Sequence, residues 1–403
     1  MKKLLAFLLM LLLALPALPA RAEEAQDITY SCLIQIYDCV GTPALMWDRN
    51  RNSTADDSGK DYYPVYITPK EEPVAAVYVE FGKVILPFRV ESKNSKGEWQ
   101  TIAHFAGNDY PQAYVTFPPQ SEKFRIVFYP KGDQEELAIR EIFLLSAGEV
   151  GSHYNHRWQP PVEKADLMVL VAHPDDEVLW MGGTLPWYAG ELGMQVEVCY
   201  LTCSGYYRTL ELLNGLWQCG VHNYPEIGDF FDYNFNRVGE VYSVWSRKST
   251  EDHIVRLIRK YRPEVLVTHD ILGEYGHTEH IACAECAIRA VELAADPTYD
   301  PESFEQYGAW EVKKLYLHLG EEPTTVLDWS RPMAAFGGRD GFEVAEAAYQ
   351  CHDSQLWTSF EVARAGTDYD STLYTLLRST VGEDEAGDDF FEHIPEDCLS
   401  TSN

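Results

Sequence analysis

The spacing of the apolar residues changes once along this chain, near Pro161, and that change limits the fold more than any other feature of the 403 residues. From about Thr29 to Leu145, apolar side chains recur at every second position in short segments: Val77, Val79 and Phe81; Tyr114 to Phe117; Phe124, Ile126 and Phe128; Leu137 to Leu145. Alternation of this kind sets one face of each strand against a core. Turn formers separate the segments, as in Lys93-Asn94-Ser95-Lys96-Gly97 and Gly107-Asn108-Asp109, and no stretch of helical period intervenes. Residues 23–150 are therefore expected to form an all-β sandwich. After Pro161, Leu167 to Ala172 is an unbroken apolar run suited to a strand buried on both faces, Val178 to Gly193 has helix-like spacing, and Val196 to Leu201 is a second buried run. Helices at about Thr209 to Cys219, Ser249 to Tyr261 and Thr278 to Leu293 alternate with a strand at Val265 to Thr268. Such a βαβ series predicts an α/β domain over residues 160–403, a Rossmann-like three-layer α/β/α sandwich whose ligands sit beyond the carboxyl ends of the strands. A connector at 146–161, containing Gly, Pro and His, joins the halves. The second half is expected to act on small substrates without the first, with the β half adding only proximity to a polymeric target.

Asp and Glu number 63 against 32 Lys and Arg, a formal net charge of -31. A surface this acidic repels phosphate backbones and anionic lipid, which sets nucleic acid aside as a partner. Lys2 and Lys3, the apolar run Leu4 to Leu15 and Ala20-Arg21-Ala22 have the three regions of a secretory signal peptide over residues 1–22. That run is well short of the roughly 20 residues that span a bilayer. The mature chain is expected to be secreted, extracellular or periplasmic, with no transmembrane segment. Nine cysteines are an odd and sparse set, not a disulfide framework, although Cys32 and Cys39 are spaced to close a small loop.

The chemistry is expected at two segments that each follow a predicted strand: His173-Pro174-Asp175-Asp176-Glu177 and Glu274-Tyr275-Gly276-His277-Thr278-Glu279-His280. His173 and Asp176 lie on one turn entering a helix and can reach a single ion, and His280 supplies a third ligand from across the sheet. Two imidazoles and one carboxylate leave a zinc position open for water, the arrangement a hydrolytic metal needs. Each segment alone has a plainer reading. Asp175 and Asp176 would serve as helix-start residues, and His277 and His280 would be surface residues. Their joint placement at strand ends of one βαβ series favours the metal.

These motifs resemble the PIG-L (LmbE-like) family of zinc deacetylases, which remove acetyl groups from N-acetylglucosamine units, and the resemblance extends over about Asp166 to Pro395. It implies Zn2+ on His173, Asp176 and His280, with Asp175 as general base. It also implies a transition-state-stabilising His277, taken to be protonated, a catalytic Tyr275 that swings towards the substrate carbonyl, and a substrate-binding Arg208. His352-Asp353-Ser354-Gln355 fits a family pattern late in the domain, with His352 read as a buried structural residue. Many relatives read His-Pro-Asp-His where this chain has His277-Thr278-Glu279-His280, so no role passes to Glu279, and His269 and His318 receive no metal role. The first half resembles discoidin-like, galactose-binding modules through Trp47-Asp48, the strand around Trp99 and Ile139-Arg140-Glu141-Ile142-Phe143, which implies a glycan ligand there. The function implied is a secreted zinc-dependent N-deacetylase acting on an N-acetylated sugar or glycoconjugate. The rival readings are an amidase on a non-sugar amide, and a glycan-binding protein whose hydrolase domain is inactive.

Overall fold

The computed structural model describes residues 24–400 apart from 38–40, 52, 58, 83–84, 108–109, 130–135, 149–150 and 152–155. The expected leader at 1–22 and Cys39 lie outside the described residues, and Cys32 is a free thiol.

The first part of the fold consists of β1 (Cys32–Ile36), β2 (Ala55–Asp57), β3 (Tyr63–Pro69), β4 (Val74–Phe81), β5 (Phe88–Lys93), β6 (Trp99–Phe105), β7 (Gln112–Gln120), β8 (Phe124–Phe128) and β9 (Leu137–Ser146). They pair antiparallel in two sheets, β1-β3-β8-β5-β6 and β2-β9-β4-β7. Alternate residues from both sheets meet in one apolar core: Val65 and Ile67 of β3, Val77 and Val79 of β4, Phe124 and Ile126 of β8, Ile142 and Leu144 of β9. The period-2 spacing in the sequence therefore marks the inward faces.

The second part runs β10 (Leu167–Val171), α1 (Asp176–Leu179), β11 (Val196–Thr202), α2 (Gly205–Gln218), β12 (Glu226–Phe230), α3 (Val238–Trp245), α4 (Arg247–Tyr261), β13 (Val265–Thr268), α5 (Thr278–Ala295), α6 (Pro301–Tyr307), β14 (Lys314–His318), β15 (Thr325–Val326), α7 (Gly341–Tyr349) and β16 (Leu373–Ser379). The sheet order is β12-β11-β10-β13-β14-β16-β15, with β12 to β14 parallel and the last two strands antiparallel to their neighbours. Leu167, Val169 and Val171 of β10 pack with residues of α2 and α7 on one face. Met168 and Leu170 pack with residues of α4 and α5 on the other. Burial on both faces explains why this strand is continuously apolar. The chain leaves β10 for β11 on one side and returns to β13 on the other, which opens a crevice beyond their carboxyl ends. None of the described helices is long and apolar enough to cross a membrane.

One element differs from its predicted form. The helix expected over Val178 to Gly193 is a four-residue turn, α1, followed by tight turns and a wide turn of π type at Pro186–Glu191. Gly182 has φ +51°, and a Cβ on Gly183 would lie 2.7 Å from the Trp329 ring, so the backbone must approach that indole bare. Close packing here overrides helical spacing.

The two parts are bound together along α2. Gln112 of β7 donates its amide to Asn214 Oδ1 at 3.1 Å and accepts from Trp158 Nε1 at 3.1 Å, all of it buried. His156 stacks on Trp217, Tyr110 on Tyr224, and Arg140 lies over the Tyr207 ring. Cutting the chain at residue 160 would leave Asn214 without its partner and uncover aromatic surface. The isolated 160–403 fragment is expected to melt at least 5 °C below the full chain, by differential scanning calorimetry.

Candidate active site

The segment after β10 turns sharply because Asp175 adopts φ 111°, an uncommon backbone angle for a non-glycine residue. The turn brings His173 and Asp176 to the mouth of the crevice, where the first turn of α5 delivers His280. Two ring nitrogens and both oxygens of one carboxylate converge: His173 Nδ1 lies 3.1 Å from Asp176 Oδ2, His280 Nε2 lies 3.2 Å from Asp176 Oδ1, and the two ring nitrogens are 3.3 Å apart. These separations approach the edge of a tetrahedron, about 3.3 Å for ligand bonds of about 2.0 Å. The donor set fits a divalent ion.

The remaining nitrogens of both imidazoles are occupied. His280 Nδ1 meets Glu274 Oε2 at 2.7 Å, and His173 Nε2 meets Glu279 Oε2 at 2.8 Å. A carboxylate at that position takes one ring N–H and orients the ring; with no ion bound, burial is outweighed by Asp176 and Glu279, which hold the His173 imidazole well above its ordinary pKa, and an ion would displace the proton from its converging nitrogen. Asp176 is fixed as well, accepting from the His173 amide at 2.7 Å and from Trp180 Nε1 at 3.0 Å. Burial alone would raise the Asp176 carboxyl, but His280, His173 and His269 hold it well below the usual range. It is therefore ionised.

Glu274 heads the second motif segment, where it received no role, and it is the hub of this support. Fully buried, it also contacts His269 Nδ1 at 2.8 Å and His318 Nδ1 at 2.7 Å, so the two histidines given no metal role stand directly behind it. His269 Nε2 accepts the Ala172 amide at 2.9 Å. His269 Nε2 also lies 3.4 Å from Asp176 Oδ2, and Asp176, His269 and His280 form a group close enough to hold an ion, as do His173, His277 and His280. His318 Nε2 donates to the Asp370 carbonyl at 3.2 Å, which fixes the ring against Glu274. Glu279, which also accepts the Tyr233 amide at 3.2 Å, orients His173. Glu274→Gln is expected to weaken metal binding by about 10–100-fold with the fold retained, measured by chelator competition and circular dichroism.

Beside the converging atoms is an open cleft of about 360 Å³ whose walls include His173, Asp175, Asp176, Arg208, Tyr275 and His277, together with Ser204, Asp232, Ser354 and Gln355. His280 lies just behind it, fully buried. Burial raises the Asp175 carboxyl to about 7, and Arg208, with Nη2 3.2 Å from Oδ2, pulls the other way. Arg208 is itself held by the Pro174 carbonyl and by Glu211 Oε2 at 3.0 Å. Glu211 also accepts the Ser354 amide and hydroxyl, which ties the His352-Asp353-Ser354-Gln355 stretch to the wall. His352 is buried, as expected. Tyr275 packs between Trp180 and Phe360, with ring centroids at 5.6 and 5.1 Å. His277 departs from expectation. Burial, then the adjacent His280 and His173, lower its imidazole to about 2, so it is neutral rather than protonated.

Fold and site together define an α/β protein with a candidate His/Asp metal centre at the topological switch point of a mainly parallel sheet. Residues 168–291 match the family model described as PIG-L, GlcNAc-PI de-N-acetylase. The 1D-myo-inositol 2-acetamido-2-deoxy-alpha-D-glucopyranoside deacetylase of Geodermatophilus obscurus is 32% identical over 297 residues, covering 57% of this chain and 98% of that protein. The deacetylase 1 of the same name from Catenulispora acidiphila is 28% identical over 267 residues, covering 57% of this chain and 79% of its own length. Among solved structures, the N,N'-diacetylchitobiose deacetylase of Pyrococcus horikoshii, complexed with its inhibitor MPG, aligns with a TM-score of 0.37 at 20% identity, covering 51% of this chain and 75% of that one. This chain belongs to the PIG-L family. The family model lies entirely within the second part of the fold.

Proposed function

We propose that this chain is a secreted, zinc-dependent N-deacetylase that hydrolyses the acetamide of an N-acetylglucosamine-type glycan or glycoconjugate. In this reading a three-layer α/β/α deacetylase domain (160–403) follows an exported leader (1–22) and a β-sandwich (23–150) with a glycan ligand of its own. The observation that carries it is the convergence of His173 Nδ1, the Asp176 carboxylate and His280 Nε2 beside a carboxyl of raised pKa in an open cleft. The names of the relatives, which act on an acetamido sugar, supply the substrate class.

His173, Asp176 and His280 would hold a divalent ion, which when bound would supply polarisation of the carbonyl and acidification of water. Asp175, once ionised, takes the proton of the attacking water, and Arg208 holds the carboxylate in line. His277, neutral, offers an N–H to the oxygen on which charge develops, where a donor is worth more than it is to the ground state. Tyr275, its hydroxyl kept protonated by burial and the surrounding carboxylates, adds a donor at the mouth of the cleft. Asp175, protonated by the first step, returns that proton to the departing amine.

The base must be ionised, and its pKa is raised, so the rate should fall as pH drops through about 7. Arg208 lowers that pKa. Arg208→Met is therefore expected to move the acid limb of kcat/KM to higher pH, by about one unit, in a pH–rate profile. The proposal itself is tested by acetate release from a panel of N-acetylated glycans, glycolipid headgroups and non-sugar amides, with metal-free and zinc-loaded protein. Zinc-dependent release from the sugars alone is expected. Release only from the non-sugar amides, or none, would defeat it.

A further inference from the structure

The first part of the fold reaches the wall of the cleft with two arginines. Arg51, in the loop that leads into β2, is clamped on buried Glu80 of β4, with Nε 3.1 Å from Oε2 and Nη2 3.0 Å from Oε1. A guanidinium gripped on two nitrogens by one carboxylate keeps little freedom. Its remaining nitrogen, Nη1, faces Asp353 Oδ2 of the second part at 3.8 Å. The Arg51 carbonyl in turn accepts Arg140 Nη1 of β9, and the Arg140 guanidinium lies 5.9 Å from the centre of the Tyr207 ring. The two side chains form one bracket.

Each residue that the bracket meets is the chain neighbour of one that steadies the proposed base. Tyr207 precedes Arg208, whose Nη2 lies 3.2 Å from Asp175 Oδ2, and Asp353 precedes Ser354. The Ser354 hydroxyl accepts Arg208 Nη1 at 3.3 Å and donates to Glu211 Oε2 at 2.7 Å, and the same oxygen of Glu211 takes Arg208 Nη1 at 3.0 Å. The position of the Arg208 guanidinium thus follows from how α2 and the 352–355 stretch sit against each other. That stretch lies in turns, outside any helix or strand, so the side chains that grip it fix its place. Glu211 does so from the cleft side and Arg51 from the outside. Asp353 is half exposed, at 52%, and an ion pair of this kind adds little to stability. Its effect is on position, to which catalysis is far more sensitive than folding is.

Building on the deacetylase reading, we infer that Arg51 is a positioning residue of the hydrolase: held by Glu80, it fixes Asp353 and through it the Ser354, Glu211 and Arg208 group that aligns Asp175. The β half then adds more than proximity to a target. Full-length, zinc-loaded protein is compared with its Arg51→Met and Asp353→Asn variants, with the β-linked disaccharide of N-acetylglucosamine as substrate and a melting curve to check folding. Each variant should lose at least threefold in kcat with KM within twofold of the parent. Asp353→Asn changes a half-exposed group, so it carries the test even where Arg51→Met does not fold. In an Arg208→Met background, where the group that Arg51 steadies no longer reaches Asp175, Asp353→Asn should cost less than a further twofold. Hydrogen exchange read by mass spectrometry over residues 352–358 should be at least fivefold faster in Asp353→Asn, with β10 unchanged. A kcat loss below threefold, a loss carried by KM, a further loss of twofold or more in the Arg208→Met background, or exchange less than fivefold faster would each overturn the inference. Absence of acetate release from any sugar by the unsubstituted protein would instead defeat the deacetylase reading, and hydrogen exchange would still decide whether the pair holds the wall.

Discussion

Asp175→Asn is expected to lower acetate release by about 10²–10⁴-fold while leaving metal content and thermal stability close to those of the unsubstituted protein. The amide keeps the size of the carboxyl and a contact for Arg208, but it cannot take a proton from water. Asp175 is not among the converging donors, and the contacts of its turn, including the hydrogen bond its backbone N–H donates to Glu177 Oε2 at 3.0 Å, do not depend on its charge. Steady-state turnover, metal analysis and a melting curve on one preparation separate the outcomes. Turnover within threefold of the parent would remove Asp175 as the base, and loss of metal would make it a ligand.

His280→Ala is expected to have the other large effect, loss of most bound metal and with it nearly all turnover. About one zinc per chain is expected in the unsubstituted protein, and below about 0.2 in the variant, by elemental analysis. The change removes a donor atom and also leaves buried Glu274 short of one of its three imidazole partners, so a fall in stability of about 1–3 kcal/mol should accompany it. Iron or cobalt in place of zinc would change the identity of the ion without changing the ligand assignment. Stoichiometric metal in His280→Ala would show that the centre is built from other residues.

Much of the site was legible in the sequence because its residues are local to two strand ends. His173, Asp175 and Asp176 belong to one turn, and Tyr275, His277 and His280 to one loop and helix start. Any βαβ reading that identifies Leu167 to Ala172 and Val265 to Thr268 as strands puts both segments on one edge. Glu274 was as visible as its neighbours, but its meaning depends on His269 from the end of β13 and His318 from the end of β14, and no spacing rule connects them. Glu279 was noticed only as a departure from the usual motif. Its role required the position of the His173 ring, 2.8 Å away across the crevice.

The sequence alone marked β4, β6, β7, β8 and β9 in the first half, β10, β11 and β13 in the second and the candidate ligands, since periodicity and strand-end motifs are set by residues close in the chain. Tertiary structure decided the rest. Contact with Trp329 broke the helix expected after Val178, and Gln112 docking on Asn214 made the two halves one packed body. Burial raises the Asp175 carboxyl to about 7 and, with His280 and His173 beside it, lowers the His277 imidazole to about 2. Each of these depends on which distant groups exclude water or bring a charge within a few ångströms, and desolvation and Coulomb energy follow distance in space, not separation along the chain.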